Sequence, residues 1–287
     1  MNVSEFQQVL RSKGCYETPR DRCRSAFDRM AGGWTVWYYA KLAAVTVEAH
    51  RIARAGRYDL AAWSRSSFRV VQAVEESGSS VSISGLEERA KIPGPVVYAS
   101  NHMSMLETFV LPCILLSFGD VAVVVKNKLL DYPLFGVILR SVRPIAIGRE
   151  NPRADLETVL AEGTRAIAAG RSVLVFPQAT RRSDFDEAEF NSLGCKLARR
   201  AGVPVVPVAL KTDFQGVGSL IRDFGPIDAS KSVHFRFGTP LVVAGQGRET
   251  HRQVVAFIGS TLREWGVRVL QQASSASGEG AAEERRT

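Results

Sequence analysis

From residue 81 onward the chain alternates short, unbroken apolar runs with stretches in which apolar residues recur every three or four positions. The runs 81–84, 96–99, 121–125, 145–147, 173–176 and 205–210 have the length and the turn-rich flanks of buried strands, and 234–237 adds a further candidate. The clearest helix opens with Asn151 as cap and Pro152 in its first turn. It places Leu156, Val159, Leu160 and Ile167 on one face and stops near Gly170. Strands alternating with helices predict an α/β fold, a mostly parallel sheet with helices on both faces. Earlier residues read as helices only, the last over 60–75, ahead of a Ser/Gly cluster at 77–80. Residues 248–272 read as a closing helix. The expected organisation is an N-terminal helical segment (1–77), an α/β domain (78–272) and a disordered polar tail (273–287).

In a parallel sheet, ligands bind where the carboxyl ends of the strands open into loops. Polar residues follow the strand candidates at those ends. His102 and Glu107 follow 96–99, Lys126 and Lys128 follow 121–125, and Arg149 follows 145–147. Gln178, Thr180, Arg181 and Arg182 follow 173–176. A histidine beside a carboxylate suits general-base work, because its unperturbed pKa lies near working pH and the carboxylate can fix the ring tautomer. The same residues also fit a bland reading. Ser104-x-x-Glu107 is a capping box, in which Ser104 accepts from the third backbone N–H and Glu107 reaches back to the Ser104 N–H. The surrounding cations suit an anionic ligand, Arg through its planar paired donors.

Charge supports an anionic partner: the net charge is +8 and the pI near 9.6, in a chain of otherwise ordinary composition. The four cysteines and four histidines are scattered without metal-ligand spacing, so no metal site is expected, and the thiols fit a reducing compartment. The basic segments lack interleaved aromatics, which argues against nucleic acid. The first residues have no apolar core and are not read as a secretory signal. No run of about 18 apolar residues is present, so no spanning helix is expected. Trp34, Trp37, Tyr38 and Tyr39 crowd one end of a short apolar helix at 34–49, which suits the headgroup boundary of a bilayer. Arg51, Arg54, Arg57, Arg65 and Arg69 would favour anionic lipid. Packing of that helix against the main domain is the alternative.

Four blocks in order resemble one family. Asn101-His102-Met103-Ser104-Met105-Leu106-Glu107 is similar to an Asn-His-x-Ser-x-x-Asp motif. Lys126, Pro133-Leu134-Phe135-Gly136 and Arg149 resemble a second block. Phe176-Pro177-Gln178-Ala179-Thr180-Arg181 resembles Phe-Pro-Glu-Gly-Thr-Arg, and Val203-Pro204-Val205-Val206-Pro207 a fourth. Together they resemble the glycerolipid acyltransferases related to 1-acylglycerol-3-phosphate acyltransferase, over roughly residues 80 to 240. The resemblance implies acyl transfer from acyl-CoA or acyl-carrier protein to a lysophospholipid hydroxyl, most simply that of lysophosphatidic acid. It implies His102 as base and Glu107 as its orienting partner. Lys126, Arg149 and Arg181 would hold the acceptor phosphate, Gln178 and Thr180 would line the substrate site, and Asn101 and Ser104 would shape the turn. No metal or other cofactor is implied; membrane phospholipid is the implied partner, and the cytoplasmic membrane face the implied location. Glu107 replaces the usual Asp and keeps its charge. Gln178 and Ala179 replace Glu and Gly, giving a loop with one negative charge fewer, and this leaves open a different acceptor such as a lipid A precursor or an amino-acid-derived lipid. A basic membrane-binding protein without catalysis is the reading from another class.

Overall fold

The computed structural model describes residues 1–19, 34–178, 180–216, 218 and 224–270. Its centre is an eight-stranded sheet in the order β1-β2-β9-β8-β3-β6-β4-β5. The strands are β1 (Tyr16–Glu17), β2 (Val81–Ser84), β3 (Val97–Ser100), β4 (Val121–Lys126), β5 (Ile145–Ile147), β6 (Ser172–Val175), β8 (Val205–Lys211) and β9 (Val233–Phe237). A separate short pair joins β7 (Phe185–Asp186) to β10 (Val269–Leu270). Strands β8, β3, β6, β4 and β5 run parallel. Strand β9 runs against β8, β2 runs parallel to β9 from Val81↔Val233, and β1 is antiparallel to β2. The expected α/β architecture is therefore present, and every strand anticipated from the apolar runs forms within a residue of its expected bounds.

The helices are α1 (Val3–Lys13), α2 (Trp34–Arg54), α3 (Leu60–Glu76), α4 (Glu87–Ala90), α5 (Leu106–Leu115), α6 (Phe135–Ser141), α7 (Pro152–Ala168), α8 (Leu193–Ala201) and α9 (Arg248–Glu264). The chain leaves β3 through α5 towards β4 and β5, then returns through α7 to β6 and through α8 to β8 on the other side of β3. Right-handed crossovers in opposite directions put α5 and α7–α8 on opposite faces. The carboxyl end of β3 is thus the topological switch point, where a crevice opens. Asn151 caps α7 through its side-chain oxygen, with Pro152 in the first turn as the sequence anticipated.

Two expectations are corrected. The closing helix stops at Glu264 rather than 272, because Gly266 takes a left-handed φ of 73° and the chain turns into β10. The aromatic end of α2 faces inward. Tyr38 is fully buried with its ring edge-on to Phe214 at 5.4 Å, and the Tyr39 hydroxyl donates to the Gly225 carbonyl at 2.7 Å. Burial of Tyr38 pushes its hydroxyl pKa well up. The reason is tertiary: α2 packs against α3 and α6, and Phe6, Leu10, Tyr16, Tyr38, Leu42 and Val45 belong to one apolar core with residues of β3, β6 and β8. The side chain of Trp34, Cys23, Ala179 and the tail 273–287 lie outside the described residues.

Helix α5, which carries Glu107, contains Pro112 and cannot complete its own hydrogen-bond ladder there. A hydroxyl from α3 repairs the neighbouring step: Ser67 donates to the Phe109 carbonyl at 2.6 Å and accepts from the Cys113 N–H at 2.8 Å. Ser67→Ala would leave that buried donor and acceptor unpaired. Its expected cost is about 1–3 kcal/mol, seen as a lower denaturation midpoint at unchanged m-value.

Candidate active site

Four loops meet at the carboxyl edge of the parallel strands. At about 4.8 Å per strand, the loop after β6 lies about 5 Å from the line of β3, Lys126 after β4 about 10 Å, and Arg149 after β5 about 15 Å. Asn101 continues β3 by other means. Its amide nitrogen donates to the Leu210 carbonyl and its amide oxygen accepts from the Leu210 N–H, each at 2.9 Å, as a backbone partner would. The chain can then leave the sheet at once, which brings His102 to the crevice.

The His102 Nδ1 lies 2.8 Å from Glu107 Oε1. The Glu107 carboxyl is completely buried, whereas the imidazole keeps 15% of its surface exposed. Both carboxylate oxygens are fully served. Oε1 also accepts from the backbone N–H groups of Met103 at 2.6 Å and Ser104 at 2.9 Å. Oε2 accepts from the Thr212 hydroxyl at 2.6 Å and lies 2.9 Å from Ser104 Oγ. Burial, the largest influence, pushes the Glu107 carboxyl up, but the bond and charge of His102 with the Thr212 and backbone donors outweigh it and hold the group below its ordinary range. An ionised carboxylate only accepts, so the proton of neutral His102 sits on Nδ1 and the lone pair on Nε2. The ring stacks on Phe176 with centroids 4.4 Å apart.

The capping box forms in modified shape. Glu107 does reach back to the Ser104 N–H, but Ser104 Oγ accepts from Leu106 N at 3.1 Å rather than from the third N–H. The cause is register, because Met105 is the residue before the first helical turn and Ser104 stands one position earlier. One carboxylate serves both the helix start and the imidazole.

The loop after β6 grips the backbone of His102 from both sides. The Gln178 side-chain oxygen accepts from the His102 N–H at 2.9 Å, and the Arg182 N–H donates to the His102 carbonyl at 3.0 Å. Gln178 is buried, with its amide orientation fixed by that bond. Its oxygen thus supports the histidine backbone, a task that a glutamate oxygen would share. Thr180 is exposed and Arg181 half-buried on the same loop. Arg182 turns to Asp184 at 2.7 Å and Glu189 at 2.9 Å, and the Asp184 bond and charge push its guanidinium pKa up. Lys126 is exposed at the end of β4. Arg149 is also exposed and takes a left-handed φ of 64°, with its N–H and that of Gly148 donating to the Asp155 carboxylate at 2.9 and 3.0 Å.

The structure therefore joins His102, Glu107, Ser104 and Gln178 by direct bonds and ranges Lys126 and Arg149 along the same edge. Three participants escaped sequence reasoning. Thr212 lies 105 positions from Glu107, Phe176 counts in the sequence only as a strand end and the first residue of a motif block, and nothing in the sequence singles out Asp155. Only the polarity of Thr212 directly after an apolar strand hinted at a role.

Comparison with known proteins bears on the family of the chain. The sequence profile described as Acyltransferase matches residues 80–211. The chain is 34% identical over 213 residues to a 1-acyl-sn-glycerol-3-phosphate acyltransferase of Pseudomonas aeruginosa, covering 72% of this chain and 78% of that one. It is 31% identical over 128 residues to the chloroplastic 1-acyl-sn-glycerol-3-phosphate acyltransferase BAT2 of Brassica napus, 45% of this chain and 36% of the relative. The crystal structure of the 1-acyl-sn-glycerophosphate (LPA) acyltransferase PlsC of Thermotoga maritima shares the fold, with a TM-score of 0.60 at 18% identity, over 86% of this chain and 99% of that one. With a third of the aligned residues identical across most of the bacterial relative, the chain belongs to the 1-acyl-sn-glycerol-3-phosphate acyltransferase family.

Proposed function

We propose that this acyltransferase moves a fatty acyl group from a thioester, acyl-CoA or acyl-carrier protein, to the free hydroxyl of 1-acyl-sn-glycerol-3-phosphate, giving phosphatidic acid. The observation that carries the mechanism is the 2.8 Å contact of His102 Nδ1 with a buried, ionised Glu107. Nε2 of His102 takes the hydroxyl proton as the oxygen attacks the thioester carbonyl; the C–S bond then breaks, and the leaving thiolate recovers the proton. Glu107 stabilises the imidazolium formed on the way. The thioester is already activated, so the reaction as read needs no metal or other cofactor. Acceptor phosphate and hydroxyl are separated only by the glycerol carbons, which favours the cations nearest His102. Arg181 and Lys126 are therefore the expected phosphate ligands, and Arg149, farther along the edge, the outer one. Thr180, on the same loop as Arg181, is the further substrate contact. The neutral Gln178 keeps a second acceptor class open, a lipid with a headgroup other than glycerol phosphate.

The substrates are bilayer lipids, so we place the protein on a membrane surface, with the cytoplasmic face suggested by thioester donors. Among the described residues no helix is long and apolar enough to cross a membrane. Trp37, Tyr38 and Tyr39 cannot supply the anchor as a group, because Tyr38 is core.

His102→Ala should lower kcat by about a hundredfold or more while the protein stays folded, and Glu107→Gln should behave similarly. Wild-type turnover of purified His102→Ala across lysophospholipid acceptors and both donors would remove the base. Thr212→Val should lower kcat about tenfold with both KM values unchanged, since a bond to a charged group is lost, and Thr212→Ser should restore it. The depressed Glu107 pKa also predicts a pH signature. The group contributes stability above its unfolded pKa, about 4.3, and this contribution is lost as pH falls through the lower folded value. Denaturation midpoints of wild type and Glu107→Gln should therefore converge in acid.

A further inference from the structure

Between Lys126 and α6 the chain makes a turn that its sequence resists. Leu134 has φ 63° and ψ −55°, and the Phe135 N–H donates to the Pro133 carbonyl at 2.7 Å. This is a γ-turn of the rare, strained hand, centred on a bulky residue. Several contacts hold it. The Gly136 N–H donates to the Tyr132 carbonyl at 2.9 Å, and Gly136 itself packs so closely on the Leu130 carbonyl that a Cβ would stand 2.1 Å from the oxygen. The Phe135 ring meets Phe109 edge-on at 5.6 Å. His50 on α2 reaches the Leu134 carbonyl through Nδ1 at 2.9 Å. Beneath the turn, Ala49 and Ala53 of α2 share a small apolar core with Ile138 and Val142, apart from the main one. Turn and helix form one unit.

What the strained turn displays is apolar. Residues 131–134 are all exposed, Tyr132 to 53% and Leu134 to 46%. Val47, one helical turn before His50 and on its face, is also exposed, as is Val36 farther up α2. Cations rim this patch: Arg51 and Arg54 beside and one turn after His50, and Lys128 just before the turn, against Asp131 alone within it. Glu48 is engaged by Arg69. Backbone strain persists only where the surroundings enforce it, and it clusters at functional positions.

We propose that the Tyr132–Leu134 turn and the adjoining face of α2 form a docking surface for an anionic lipid bilayer. Leu134 and Tyr132 enter the headgroup layer, and Arg51, Arg54 and Lys128 meet lipid phosphates. The turn follows the carboxyl end of β4, so docking presents the edge that carries His102 and Lys126 to the membrane. The inference deepens the acyltransferase reading and rests on it for the choice of lipid as partner.

The test is flotation of the full chain with vesicles of phosphatidylcholine alone and of equal parts phosphatidylcholine and phosphatidylglycerol. The intact protein should favour the anionic vesicles, and Tyr132→Ser/Leu134→Gly should lose at least about tenfold in vesicle affinity. Its turnover should fall far more on vesicle-borne than on monomeric short-chain substrate. Leu134→Gly alone removes the side chain and accepts the positive φ, so it should keep or raise the melting temperature while weakening vesicle binding. Wild-type vesicle affinity in the double variant would overturn the proposal. So would a dimer in solution that the double variant dissociates, together with no vesicle binding by either. His102→Ala serves as the separate arm. It should float like wild type, and a chain that floats through this turn without acylating any lysophospholipid refutes the reaction and leaves the surface standing.

Discussion

A carboxylate removed from water must be surrounded by donors or it takes up a proton, and Glu107 is the point at which this chain meets that demand. Its donors are of three kinds: the backbone of the turn Met103–Ser104, the ring of His102, and the hydroxyl of Thr212 beyond β8. Each is fixed by a different part of the fold. The turn forms because Asn101 substitutes for a strand residue against Leu210. Thr212 arrives because β8 runs alongside β3. The imidazole is placed by the loop after β6 through Gln178 and Arg182. Loss of any one donor leaves the buried carboxylate short of a partner, so the site behaves as a unit.

The surrounding architecture serves the same end. The reversal of crossover direction at β3 opens the crevice, and Ser67 compensates for Pro112 in the helix that carries the carboxylate. The cations are graded rather than clustered. Strand spacing sets Lys126 and Arg149 at increasing distances from the imidazole, and Asp155 spends its charge on holding the backbone of Arg149 in a conformation that arginine seldom adopts.

Much of this was legible in the chain because the features are local. Alternation of apolar runs with helical periods marks the strands within a residue. Asn151-Pro152 marks the start of α7, and the five-residue interval from His102 to Glu107 carries the dyad. What stayed hidden depends on partners far along the chain. Thr212 has meaning only once β8 lies beside β3. Tyr38 resembles an interfacial aromatic until Phe214 is set against it. Strands of two residues, such as β1, β7 and β10, are shorter than any period that could reveal them. The turn at Leu134 hid for another reason, since nothing in the residue itself announces a positive φ.

The pairing of β2 with β9 bears on how the chain is made. Val81 pairs with Val233, so a strand synthesised in the first third must wait for one that emerges near the end. Until then β2 has only the two residues of β1 beside it, and its other edge stays open to foreign strands. Closing a loop of that length is slow compared with forming the local β3-to-β6 crossovers. On the ribosome, the half of the sheet that houses the dyad can therefore assemble first, and the flank built from β1, β2 and β9 is sealed last. Chaperone capture of nascent chains should accordingly concentrate on that unsealed flank.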